Sequence, residues 1–366
     1  MRLKKELPVQ APARSIFTVL LFTTSALMPV AAQAEKLPMA MDAGDANDSV
    51  DRHTIIVTGQ TDSYRAETAS GVKAPTPLID VPQSVTVLTR EQLDDQGVTQ
   101  LGDALRYVPG VVLAQGEGNR DQIVLRGQNT TADFYLDGLR DDTQYYRSLY
   151  NIDHVEVLRG ANALLFGRGG GGGVINRVRK TPSLSGQTLG ASAAVGSFGD
   201  FALAADLNNP LSQTVGARLN GTYEEFDNHR QDFHGRFIGV NPTLAFAPGS
   251  DTRIDLSYNY DDDSRTADRG VPSLGGKPLE GYRDTFFGRK DTNIAAVKAH
   301  IAEARLTQQL ADSLTLTVAG QYSHTDKYYA NIFPAHAADA ATRTVELSAY
   351  NNASLRESWI GQANLT

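Results

Sequence analysis

One segment invites a chemical reading before any other. Gly167-Arg168-Gly169-Gly170-Gly171-Gly172-Gly173 has the composition of a phosphate cradle. The context argues against it. A P-loop needs Lys and Ser/Thr after its glycines, and a dinucleotide loop must open a helix. Here the glycines lead into Val174-Ile175-Asn176, which reads as a strand. The run is better explained by backbone packed closely against another wall, or by repeated positive φ. The seven histidines are dispersed, with His229 and His234 flanking a loop–strand join. The absence of cysteine excludes disulfides, zinc–thiolate sites and iron–sulfur ligation. No nucleophile–base pairing and no carboxylate pair stand out, so no enzyme activity is expected. The hydrophobic content, 41%, is enough for a packed core. The net charge of −8 gives no general attraction to nucleic acid, and no such partner is expected.

The elements that must carry any site begin after an address. Arg2, Lys4, Lys5 and Arg14 precede the apolar stretch Ser15 to Met28, and Ala32-Gln33-Ala34 fits a small-x-small cleavage site. Residues 1–34 therefore read as a secretory signal peptide, and the product is exported. Cleavage leaves 30 basic against 41 acidic residues, a net charge of −11. Residues 35–74 read as a flexible, solvated tail, with Asp42, Asp45, Asp48 and Asp51 among Ala, Gly and Asn. Inside it lies the β-branched island Ile55-Ile56-Val57. It could pair with another sheet's edge, or it could be an edge strand of the following domain.

Residues 75–182 read as a compact α/β domain. Ser84 to Leu88 alternates like a strand, and Thr89 is placed to cap a helix that stops at Gly97. A second helix is expected from Thr99, with Leu101, Ala104, Leu105 and Val108 on its buried face. Ile123–Leu125, Phe134–Leu136, Val155–Leu158 and Val174–Val178 read as strands, and Asp137-Gly138 as a turn. Ala161 to Phe166 reads as a short helix.

From 183 to 366 the sequence alternates. Ile254, Leu256, Tyr258 and Tyr260 oppose Arg253, Asp255, Ser257 and Asn259. Leu314, Leu316, Val318 and Tyr322 oppose Thr315, Thr317, Gln321 and Ser323. One apolar and one polar face over roughly ten residues is the pattern of barrel strands in lipid. Short turns are expected at Asn208–Gln213, Pro248–Ser250, Ala311–Ser313 and Asn351–Ser354. They alternate with other joins, of which Asp261–Asn293 is very long and Lys327–Thr342 also extended. A soluble β-sandwich also alternates, but it does not explain that asymmetry. About nine strands are expected here. Pro242 and the stretch Val297 to Leu310 break the alternation.

Taken together, these segments resemble the TonB-dependent outer-membrane receptors, specifically the siderophore-receptor group. His53–Gly59 (HTIIVTG) looks like a TonB box. Val81–Leu88, Leu101–Val111, Ile123–Gly127 and Phe134–Asp141 (FYLDGLRD) resemble the plug. So do Asn151–Gly160 (NIDHVEVLRG), Leu165–Asn176 and Lys180-Thr181-Pro182. Gln128 stands where an aromatic commonly follows Arg126-Gly127. The Gly169–Gly173 run and Asp141–Asn151 look closest to catecholate-type receptors.

The resemblance implies an α+β plug domain followed by an antiparallel transmembrane β-barrel, in the cell outer membrane. It implies a transported ligand, ferric siderophore, with no covalently bound cofactor. It implies contact with outer-membrane lipid. It also implies TonB as partner, with its inner-membrane energising complex, acting on His53, Thr54, Ile55, Ile56, Val57, Thr58 and Gly59. An iron–catecholate complex is anionic and aromatic, so Arg and Tyr suit it. The plug candidates are Arg126, Arg140, Gln144, Tyr145, Tyr146 and Arg147. The same arginines could instead salt-bridge plug to wall, as expected for Arg159 and Arg168. Only about twenty residues separate Ala34 from the box, too few for a folded signalling domain. Another cargo, such as cobalamin, haem or an oligosaccharide, would keep the architecture. An exported β-rich protein without a transport role is the more distant alternative. Family members close with 22 strands, so an N-terminal fragment holding a plug and under half a barrel is expected. Such a fragment, expressed alone, is expected to fail in membrane assembly.

Overall fold

The computed structural model describes residues 64–72, 76–160, 163–167 and 171–366. The expected signal peptide and the segment His53–Gly59 lie outside the described residues.

The N-terminal part is built on a mixed sheet. Its strands are β1 (Ser84–Leu88), β5 (Phe134–Leu136), β6 (Leu139–Arg140), β7 (Ile152–Arg159) and β8 (Gly173–Arg179), in the order β1-β7-β8-β5-β6. Only β5 and β8 run parallel among these pairs. A smaller sheet joins β2 (Val111–Leu113), β3 (Ile123–Leu125) and β4 (Gln128–Thr130). Helix α1 (Arg90–Asp95) starts as the sequence predicts, with the Gln92 amide donating to Thr89 Oγ1 at 3.3 Å. That bond satisfies one of the donors a first turn leaves unpaired. Helix α2 (Leu101–Leu105) begins two residues later than Thr99, with Gln100 as its cap. Leu93, Leu101, Leu105, Phe134, Ile152, Val157 and Ile175 pack into one apolar cluster. Asp137 and Gly138 both have positive φ, which closes the tight hairpin between β5 and β6.

The short helix α3 (Ala163–Phe166) leads to the glycine run. A Cβ on Gly172 would strike the Leu125 carbonyl, and one on Gly173 would strike the Leu158 carbonyl. Gly173 also has φ of +143°. Close backbone approach is therefore what these two glycines permit, and they open a strand.

The C-terminal part is one antiparallel wall of eight strands. They are β9 (Thr188–Val195), β10 (Phe201–Pro210), β11 (Val215–Phe226), β12 (Gly235–Phe246), β13 (Thr252–Arg265), β16 (Ile294–Ala311), β17 (Leu314–Pro334) and β18 (Leu347–Leu365). Each pairs with its sequence neighbour, and β9 and β18 form the two edges. A small hairpin, β14 (Ser273–Leu274) with β15 (Lys277–Pro278), sits in the loop before β16. One end of the wall carries the turns 211–214, 247–251 and 312–313; the other carries the joins 196–200, 227–234, 266–293 and 335–346. Leu207, Leu219, Leu244 and Leu256 stand exposed on the outer face. Asn220, Asn241, Asn259, Asp261 and Glu303 are buried on the inner one.

Two expectations are corrected. Asn351–Ser354 is not a turn; it lies inside β18, paired residue for residue with Lys327–Ala330. That fusion reduces the expected nine strands to eight in this sheet. The join expected at Lys327–Thr342 is shorter, because β17 continues to Pro334. Pro242 lies within β12, and the ladder to β13 skips from Val240↔Tyr260 to Thr243↔Ser257 around it. Proline has no N–H to donate at that point.

Gly173→Ala should destabilise the N-terminal domain by more than about 2 kcal/mol, because the new Cβ meets backbone that cannot rotate away. Thermal unfolding of the detergent-solubilised full-length protein checks this; an unchanged midpoint would contradict the close approach.

Candidate functional site

The loop after β6 has little regular structure, so side chains must shape it. Arg147 does most of that. It is 0% exposed. Its Nε donates to Asp141 Oδ2 at 3.0 Å, and its Nη2 to the carbonyls of Asp141 at 2.8 Å and Thr143 at 2.7 Å. Nη1 donates to the Tyr145 carbonyl at 3.1 Å and lies 3.5 Å from Asp121. The guanidinium stacks 4.1 Å from the Phe134 ring centre and 4.5 Å from that of Tyr145. Arg177 and the Tyr145 hydroxyl both donate to Asp141 Oδ2, at 2.5 and 2.7 Å. Burial pushes the Asp141 carboxyl up, but Arg147 and Arg177 prevail and hold it below its ordinary value. Burial wins at Asp121 and raises it despite Arg147. Burial, then the Asp141 charge, raises the Tyr145 phenol.

The six candidate ligand residues do not converge. Tyr145 and Arg147 belong to this buried knot, where their polar groups meet protein partners. Tyr146 lies under Arg265, 4.2 Å from ring centre to guanidinium, and burial pushes its phenol up to about 12. Arg140 donates to the Tyr135 hydroxyl at 2.9 Å. Arg126 is exposed at the tight turn between β3 and β4, with φ of +50°. Gln144 alone among the six lines the cavity that opens between the domain's apex and strands β17 and β18.

That cavity, about 440 Å³, lies at the end of the wall that carries the long joins. Sequence reasoning missed its other walls. Tyr329 donates from its hydroxyl to the Glu117 carbonyl at 2.7 Å, and Tyr350 to the Glu117 carboxylate at 2.7 Å. Arg120 pairs with Glu117 at 3.0 Å, and Arg356 with Asp142 at 2.6 Å. Lys327 Nζ crosses from the wall to donate to Asn119 Oδ1 at 2.8 Å and the Gln144 carbonyl at 2.6 Å. Alternation could have marked Lys327 and Tyr329 as inward-facing. Nothing local could have paired them with residues some two hundred positions earlier.

At the opposite end Arg179, at the end of β8, joins the N-terminal domain to the wall. It pairs with Asp137 at 2.5 Å and with Glu303 of β16. Arg305 donates to the Asp137 carbonyl at 2.6 Å. Near the chain's described start, the buried Glu156 carboxylate accepts from the amides of Ser70 at 2.5 Å and Gly71 at 2.8 Å, and from Asn176 at 2.8 Å. His154 bridges Glu156 and Asp153 at 3.1 and 2.8 Å. Burial opposes its charge, yet the bonds to Asp153 and Glu156 raise it to about 9. The strap 64–72 is thus pinned on a buried anion, shortly after the β-branched segment in sequence.

A folded domain seated by ion pairs against a polar-inside, apolar-outside strand wall is the architecture of the plug-and-barrel proteins of the outer membrane. Residues 77–174 match the TonB-dependent receptor plug domain. The chain is 31% identical over 310 residues to the probable TonB-dependent siderophore receptor PiuA of Acinetobacter baumannii, covering 81% of this chain and 42% of that one. It is 33% identical over 247 residues to the catecholate siderophore receptor Fiu of Escherichia coli, covering 66% and 32%. The crystal structure of PiuA superimposes with a TM-score of 0.79 at 28% identity, over 83% of this chain and 45% of that one. The open form of Fiu gives 0.74 at 26% identity, over 82% and 48%. Residues 77–174 thus belong to the TonB-dependent receptor plug family, and most of the chain is similar to relatives named as siderophore receptors. The chain spans less than half the length of these relatives.

Two outcomes follow from the buried charges. Arg147→Ala should cost about 3–5 kcal/mol by stranding Asp121 and leaving Asp141 to the Arg177 cation alone, and hydrogen exchange should then accelerate across 141–149. At Glu156 the pH dependence has two sides. His154 has a raised value, so its contribution is complete below the ordinary histidine value and fades as pH rises through about 9. Glu156 is held below its ordinary value, its bonds from His154 and Asn176 overcoming burial, so its contribution fades as pH falls through that lowered value. Exchange protection of the Ser70 and Gly71 amides should therefore weaken above about pH 9, where Glu156 keeps their bonds but loses the His154 charge. Glu156→Gln should weaken it throughout; pH-independent protection would contradict the pinning.

Proposed function

We propose that the protein takes up ferric siderophore across the outer membrane, with energy delivered through TonB. The observation that carries this reading is the cavity between plug apex and wall. It sits at the long-loop end, carries cations and tyrosines, and is floored by a plug seated on the wall through polar contacts. The likeness to PiuA and Fiu supports the cargo class. A ligand entering there is faced by Gln144, Arg120, Tyr350 and Lys327. Of the ligand candidates read from sequence, Gln144 contacts the ligand, while Tyr145, Tyr146 and Arg147 hold the loop that presents it.

His53–Gly59 is the segment TonB grasps. Three adjacent β-branched residues in a polar stretch suit addition to a partner's sheet edge. The strap Ser70–Gly71 follows eleven residues after Gly59 and is pinned on Glu156, so tension there reaches the central sheet through β7. Outer-membrane lipid covers the apolar outer face of the wall. Enzymatic chemistry is not part of this reading.

Ile56→Pro tests it in the full-length receptor. Proline removes a donor and disfavours strand addition. Radio-iron uptake should fall to background while binding of the ferric complex at the cell surface is retained. Undiminished uptake would sink the TonB mechanism.

A further inference from the structure

The cavity at the plug apex has an electrostatic imbalance with a single source. Five charged side chains line it: Glu117, Arg120, Asp142, Lys327 and Arg356. Two cations have carboxylate partners there, Arg120 with Glu117 and Arg356 with Asp142. Glu117 is further occupied by the Tyr350 hydroxyl. Lys327 is different. It is 7% exposed, and among the described residues no carboxylate lies within 4 Å of its Nζ. Its bonds go to an amide oxygen and a backbone carbonyl, both neutral. A buried charge held only by neutral dipoles is incompletely compensated, and an anion arriving at it gains more than it would at an already paired arginine.

We propose that Lys327 is the anion anchor of the ligand site and selects iron complexes that carry net negative charge, such as catecholate chelates. This rests on the uptake reading above. Two further features fit. The Tyr329 and Tyr350 rings meet edge-to-face at 5.5 Å beside Lys327, and Tyr350 is 40% exposed, so an aromatic chelator has a ring to lie against. Lys327 Nζ is also a tie between wall and plug, because both of its acceptors belong to the plug. An anionic ligand oxygen is a stronger acceptor than either of them. A ligand that takes Nζ thus loosens Asn119 and Gln144 from the wall. Occupancy is converted into a freer plug apex by competition for one ammonium group.

The full-length receptor in outer-membrane vesicles tests this with two radio-iron probes of similar size. One is an anionic ferric tris-catecholate, the other a neutral ferric tris-hydroxamate. The wild type should bind the anionic complex more tightly. Lys327→Gln should weaken that binding by roughly tenfold or more, the worth of one charge-assisted hydrogen bond, and leave the neutral complex unaffected. Lys327→Arg should restore most of the loss. Asn119→Asp keeps Lys327 and its contact but supplies the missing carboxylate, so it should weaken anionic binding too. Equal loss of both probes in Lys327→Gln overturns the anchor. So does full anionic binding by both Lys327→Gln and Asn119→Asp, or a wild type that prefers the neutral probe; the uptake reading survives each of these. A wild type that binds neither probe overturns both.

Discussion

A charged lumen wall can be buried only if something inside answers its charges. The inner face of β10 to β17 carries Asp206, Arg253, Asp261, Glu303, Arg305 and Lys327, and lipid cannot satisfy it. The plug supplies the partners. Arg179 answers Glu303, Lys180 answers Asp206 at 2.9 Å, Asp137 gives its carbonyl to Arg305, and Asn151 donates to Asn259 at 2.6 Å. Buried ion pairs add little net stability over an apolar contact of the same size, but leaving one partner unmatched is expensive. They therefore select position. One seating of the plug satisfies the wall, and displaced seatings leave charges stranded.

The apolar contacts tell the complementary story. The plug has its own core around Leu93, Leu105, Phe134 and Ile175, to which the wall adds Ile301. Elsewhere the wall contributes Val297 and Ala299 against Tyr145, whereas Ala295 and Tyr329 pack on Ala267 of the wall's own loop before β16. The plug can thus keep its core while its boundary changes. Hydrogen bonds at that boundary can be exchanged for bonds to water at a small net cost each, which an apolar interface of equal area would not allow. A domain that must sit firmly and still be moved is well served by that division. Its strap is pinned at Ser70 and Gly71 on one buried carboxylate, which concentrates the first resistance to a pull at a single place.

Much of the fold is legible from residue order because its rules are short-ranged. Thr89 caps α1, Asp137-Gly138 turns the β5–β6 hairpin, and the alternation from Ile254 to Tyr260 places one face outward. The errors have the same origin. Asn351-Asn352-Ala353-Ser354 has turn composition, yet it is strand because Lys327–Ala330 offers it a complete ladder. Pro242 looks like a breaker, yet β12 runs through it because β11 still pairs on its other side. Local composition weighs less than a partner strand already in place.

The candidate site divides along the same line. By itself the sequence determined the domain order, the strand wall, most of its hairpin turns and the stock of Arg and Tyr at the plug apex. Those follow from periods of two and of about four residues and from backbone preferences. Which cations are matched was decided only by the tertiary structure. Arg147 and Arg177 stand close to Asp141 in the fold and are both paired with its carboxylate. Lys327, a cation of the same sign, reaches only Asn119 and Gln144. Charge compensation depends on distances of a few ångströms between residues as far apart as Asp142 and Arg356, 214 positions from one another, and no local pattern encodes those distances.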